Sequence, residues 1–312
     1  MDATAGRVVW VAGHVAVRNG RRDPNWRNNV GLLIRWLHPD GTWRHVQIDC
    51  GKTFRESKKY GKFPRKFPHE KSDKTGAVLV PTTPVDFLDA LLLTHDHADA
   101  ILGLDELRQL QRFDNATRQV CGPPIQCFCD ARTMRHCLAR DVFQLGLKTQ
   151  LSLQLLGAFA RLPQAVLFLT CSLAARAPKK GLLHCHVLGE VPEDTSPFEV
   201  QGLMIHALPV LHGADYVSFG YGFGPKGSKV VYISDYTELL PRTETLLEHW
   251  SQDGIAVMIL DMLFPSSQKA LVHANLDDSI ALVRRYRPRK AFFVGMCHFR
   301  CLERRLWVMI GL

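Results

Sequence analysis

No stretch of this sequence stays apolar for the ~20 residues that a membrane-crossing helix needs. The most apolar long window, 151–177, is broken at its middle by Arg161, Pro163 and Gln164. Residues 1–17 hold an apolar stretch, but only Arg7 precedes it and Gly13 and His14 interrupt it, so no secretory signal is read there. Paired cysteine motifs are missing too. The nine cysteines are odd in number and scattered, and no C-x-x-C pair occurs among Cys121, Cys127, Cys129 and Cys137, which gather loosely with His136. This excludes a disulfide framework and a zinc knuckle, and leaves free thiols in a reducing compartment as the simplest account. That compartment is read as the cytoplasm, with the nucleus or an organelle left open. No short fixed repeat is present. Acids are scarce between 139 and 189, where Asp141 stands alone in a leucine-rich run without clean turn chemistry. That run is expected to pack poorly, as an atypical insert, and the second H-x-H at His184 and His186 is read as incidental to it.

What remains is an ordinary globular composition, with 46% hydrophobic and 22% charged residues and a net charge of +9. Its 312 residues suffice for one large domain, read here as 1–312, which looks shortened after residue 298. Much of the excess charge sits in 52–74, where seven lysines and two arginines face Glu56, Glu70 and Asp73. Such a run favours anionic partners. Lys52 at its start is the candidate for holding phosphate oxygens.

The stretch 91–108, LLLTHDHADAILGLDELR, organises the rest. An apolar strand end runs into Thr94-His95-Asp96-His97-Ala98-Asp99, and a Gly103 turn then leads into an expected helix over 104–111. Imidazoles at i and i+2 after a strand can converge on one cation, and a carboxylate two residues on can bind a second ion or orient a water. Other candidates also follow apolar runs: Asp49 after 43–48, His212 after 209–211 and Asp235 after 230–233. Further expected elements are a hairpin, 30–37 with 43–48, turning at His38-Pro39-Asp40-Gly41, a strand before Cys129, and a helix over 131–140. A glycine-rich hairpin is expected at 220–227; its apparent dinucleotide fingerprint precedes a strand rather than a helix. Strands are expected at 255–261 and 291–295, with a helix capped by Asn275 between them. This alternation gives an α/β class.

Four motifs together carry a resemblance: IDCGKTF at 48–54, LTHDHADAILGLDELR at 93–108, LPVLHG at 208–213 and YISD at 232–235. The chain resembles metallo-β-lactamase-fold hydrolases, and within that superfamily it is similar to the PhnP-type phosphoribosyl cyclic phosphate phosphodiesterase branch and its eukaryotic hydrolase members. The resemblance implies an αββα sandwich of two mixed β-sheets flanked by helices. It implies a first metal site of His95, His97 and His212, with Asp235 bridging to a second ion held by Asp99. It places Asp49 beside the metals and gives His273 a proton-transfer role. Two positions depart from the pattern: Ala100 and Gly295 stand where the second ion's histidines are expected. One tightly held ion follows, zinc by its histidine-rich ligation, with manganese suited to carboxylate-rich variants. His298, three residues after Gly295, can supply the second ion instead. Histidines introduced together at Ala100 and Gly295 are expected to raise the stoichiometry. The implied activity is metal-dependent hydrolysis of a small phosphodiester, cyclic ones included. The alternatives are a thioester or ester hydrolase of the glyoxalase-II type and a catalytically degenerate binding protein. The implied partner is a small phosphate-bearing anion, with nucleic acid left open and no membrane.

Overall fold

In the computed structural model of the chain, residues 17–18, 21–22, 28–54, 85, 87–110, 113–114, 116, 119–120, 122–139, 183–188, 195–264 and 271–297 are described. They fall into two compact units, one within Gly31–Val187 and the other within Leu188–Leu312 with residues of Val15–Val30. Most of the basic run, residues 140–182 of the expected insert, and His298 with the tail lie outside the described residues.

In the first unit, apolar residues at alternate positions drive β1 (Leu32–Leu37) into a sheet, with Leu32 and Ile34 buried. β1 pairs antiparallel with β2 (Trp43–Ile48). The turn is the one the sequence predicts: Asp40 accepts hydrogen bonds from the Thr42 backbone N–H and hydroxyl, and Gly41 takes φ +80°. The sheet continues in parallel through β3 (Ala90–Leu92), β4 (Ile125–Cys129) and β5 (Leu183–Val187). It is therefore mixed. A short helix, α1 (Ala98–Ile101), follows β3, and α2 (Ala131–Ala139) follows β4. The core holds Leu91, Leu93, Ile101, Cys127, Cys129, Met134 and Cys137.

Two expectations are corrected here. The helix after the histidine motif starts directly beyond His97, and Leu104–Leu110 forms a 3-10 helix instead of an α-helix. Gly103 does lie in a turn, as expected, and it also permits close backbone passage: a Cβ there would fall 2.2 Å from the Gly51 carbonyl oxygen. The end of the expected insert is not irregular either. Residues 183–187 form β5, with Cys127 in register opposite Cys185. Its Leu-His-Cys-His-Val sequence has strand alternation, which the H-x-H reading obscured.

The second unit carries a larger mixed sheet. β6 (Phe198–Val200), β7 (Leu203–Leu211), β8 (Val217–Phe223) and β9 (Lys229–Ile233) pair antiparallel in succession, and β10 (Glu238–Leu239) adds to β7. Next in sequence is α3 (Pro241–Asp253), which the sequence reading passed over; Pro241 at its start and Gly254 at its end were the available signals. β11 (Ile255–Asp261) lies parallel to β9. α4 (Leu276–Tyr286) has the Asn275 cap, closed as a box with Asp278. β12 (Lys290–Val294) completes the sheet parallel to β11. Residues 220–227 do form a glycine-rich hairpin. Gly222 leaves room for Trp250, whose ring would lie 2.4 Å from a Cβ. Among the described residues, no helix is long and apolar enough to cross a membrane.

One buried group has a consequence for stability. His45 is 4% exposed, neither of its ring nitrogens has a hydrogen-bond partner among the described residues, and Arg35 faces it across the β1–β2 ladder. Burial, helped by the Arg35 charge, pushes its pKa down to about 4 from 6.5. The folded chain therefore favours neutral imidazole. Stability is full above pH 6.5 and falls toward pH 4, as only the unfolded state takes up the proton. The loss is expected to be on the order of 2 kcal/mol. Thermal melts of wild type and His45→Leu across this window check it: the variant should show the smaller pH dependence.

Candidate metal centre

Four described residues outside glycine have positive φ, and two of them are Asp49 (58°) and Asp235 (53°), each just beyond a strand end. Aspartate tolerates the left-handed region better than most residues. In both cases it turns the chain sharply at the point where a buried strand stops. Strain of this kind concentrates where geometry is functional.

In the first unit, Asp49 accepts from the Thr94 backbone N–H at 2.9 Å and from the Thr94 hydroxyl at 2.8 Å. The hydroxyl donates to the carboxylate, so its oxygen accepts from His95 Nδ1, 2.8 Å away. This fixes the His95 proton on Nδ1 and leaves the Nε2 lone pair for a cation. Asp49 thus acts on the site through Thr94 and His95. His95 is 1% exposed, whereas His97 is exposed, its ring edge-on to His95 with centroids 4.6 Å apart. Asp99 Oδ1 lies 3.9 Å from His95 Nε2. That is too long for a hydrogen bond, but near the roughly 3.3 Å that separates two ligands of one tetrahedral ion. Lys52 is exposed in the turn after Gly51.

In the second unit, His212, Asp235 and His273 bring one ligand atom each within 4.8 Å of one another. His212 Nδ1 bonds the Val272 carbonyl, which can only accept, so this imidazole too carries its proton on Nδ1. His273 Nδ1 lies 2.7 Å from Asp261 Oδ2 and 3.7 Å from Asp235 Oδ1.

Asp261 is the residue the sequence reading missed. It is 2% exposed. Burial pushes its carboxyl above the usual carboxylate range, against the hydrogen bond from His273, and the neighbouring Asp235 adds to the rise. Ser279 Oγ donates to the Asp261 carbonyl at 2.6 Å, and Tyr236 Oη is hydrogen-bonded to Ser279 Oγ at 2.7 Å. The available signal was the pattern already used for Asp49 and Asp235: an apolar strand ending in an acid.

The structure also bears on the two positions that lack histidine. Ala100 is buried in the first unit's core, and its carbonyl accepts from the Cys50 N–H. Gly295 has φ +80°, and a Cβ there would fall 2.3 Å from Asp261 Oδ1. A side chain at Gly295 would therefore meet the Asp261 carboxylate, and one longer than methyl at Ala100 would enter the first unit's core.

No family model matches the chain, and no curated protein matches it. Solved structures do. A diphosphatase from the PhnP family aligns at 18% identity over 94% of this chain and 87% of its own, with a TM-score of 0.58. The metallo-β-lactamase fold protein YhfI from Bacillus subtilis aligns at 14% over 95% and 87%, with a TM-score of 0.53. The short form of human tRNase Z aligns at 13% over 93% and 92%, also at 0.53.

Proposed function

We propose that this chain, which has the metallo-β-lactamase fold, is a metal-dependent hydrolase that cleaves a small phosphodiester, cyclic ones included. The observation that carries this reading is the His212–Asp235–His273 cluster, whose donor atoms lie within 4.8 Å of one another. The donor set fits a divalent ion: His95 and His212 are both held with the proton on Nδ1, and carboxylates stand beside each. The ligand set that the resemblance implies, His95, His97, His212 and Asp235, would hold one tightly bound ion, zinc by its nitrogen-rich ligation. An ion bound there lowers the pKa of water from 15.7 toward ~7 and polarises a phosphoryl oxygen.

The chain's own residues supply the rest. Asp99 accepts a hydrogen bond from the attacking water and aims it. Asp49 holds the His95 tautomer through Thr94. Asp261 accepts from His273 Nδ1 and favours the imidazolium, whose Nε2 proton passes to the leaving oxygen and leaves a neutral ring. Lys52 attracts the phosphate.

Elemental analysis of purified, dialysed protein should find about one ion per chain. Chelated and metal-restored protein should then be assayed on cyclic and linear phosphodiesters, a thioester and a short RNA. Metal-dependent cleavage of a small phosphodiester is the expected result. Metal retention with thioester cleavage alone would replace the substrate reading, and a chain that holds no ion would overturn the hydrolase reading itself.

A further inference from the structure

His136 lies forty residues from the histidine motif and takes no part in the ligand sets above. Its Nδ1 sits 2.7 Å from Oδ2 of Asp96, the residue between His95 and His97. We propose that His136 is a positioning residue, and that its bond to Asp96 sets the spacing of the two imidazoles. This rests on the metal-centre reading above.

The chain bends at Asp96 and His97 just before α1. The rings of His95 and His97 meet with centroids 4.6 Å apart, while the Asp96 carboxylate between them reaches His136 on α2. The loop before Asp96 is held twice: Leu93 N–H bonds the Phe128 carbonyl, and Thr94 bonds Asp49. The loop after it is held by α1, whose Ala100 and Ile101 N–H groups bond the His97 carbonyl, and by Cys50 N–H on the Ala100 carbonyl. Between those anchors, the Asp96–His136 bond is the side-chain tie at the centre of the motif.

α2 is itself a firm base. Asp130 caps it through the Thr133 N–H at 2.9 Å, and Met134 and Cys137 bury its inner face. Asp96 is 11% exposed in its side chain and His136 25%, so the bond is largely shielded from solvent. Exposed His97 has a less buried setting than His95. On its C-terminal side His97 is held by α1, and on its N-terminal side by Asp96 and the bond to His136. A ligand held loosely loses part of its binding free energy to ordering, so releasing the tie weakens the site without removing a ligand.

The test is metal affinity by chelator competition on the full chain, beside thermal melts without metal. His136→Ala and Asp96→Ala should each weaken zinc binding about tenfold. The double variant should be no weaker than either single one, because both remove the same bond. His136→Asn, whose amide N–H can occupy the Nδ1 position, should restore affinity to within about threefold. A purely structural role for His136 would lower the melting temperature and leave affinity unchanged, and that result overturns the proposal. So would additive losses in the double variant. If wild type itself binds no metal, it is the metal-centre reading that fails, which the wild-type titration shows first.

Discussion

His212→Ala is expected to remove the tightly held ion and to lower phosphodiester turnover on the order of a thousandfold or more, since water then reacts near its bulk pKa. The size of the effect follows from how His212 is placed. It directly follows the long strand β7, is 3% exposed, and has its tautomer set by the Val272 carbonyl. Alanine deletes a pre-oriented ligand and leaves that carbonyl without this partner. Elemental analysis and kcat on one preparation check both halves of the prediction. Retention of a full equivalent of metal by His212→Ala would show that the ion lies elsewhere.

Asp261→Asn is expected to cut kcat about 10²–10⁴-fold while leaving metal content near that of wild type. An ionised Asp261 can only accept a hydrogen bond, so the His273 proton stays on Nδ1. Asparagine removes the negative charge that favours the imidazolium and can donate an N–H to Nδ1, which leaves a neutral ring that is a poor proton donor. The melting temperature should hold or rise, because a buried carboxylate is replaced by a neutral amide of the same shape. His273→Ala gives the complementary reading. As a proton donor it should lose turnover and keep the ion; loss of the ion would instead make His273 a ligand, as its place beside His212 and Asp235 allows. A pH profile of kcat should lose its acid-donor limb in His273→Ala.

The sequence by itself determined the strand ends and what stands on them. Apolar runs closed by Asp49, His95, His212 and Asp235 are local patterns, and the strands formed where those patterns lie. The Asn275 cap and the Asp40-Gly41 turn were legible for the same reason: each is stabilised by groups within a few residues of one another. Tertiary structure alone decided which groups support the candidate ligands. Thr94 relays Asp49 to His95 across 45 residues of sequence, Val272 orients His212 across 60, and His136 reaches Asp96 across 40. No residue type or spacing announces such partners, because a carbonyl or a hydroxyl becomes an orienting group only when folding brings it to a ring nitrogen. Gly103 and Gly295 teach the same point. The sequence marks both as small, and only the packed chain shows that one admits the Gly51 backbone and the other the Asp261 carboxylate.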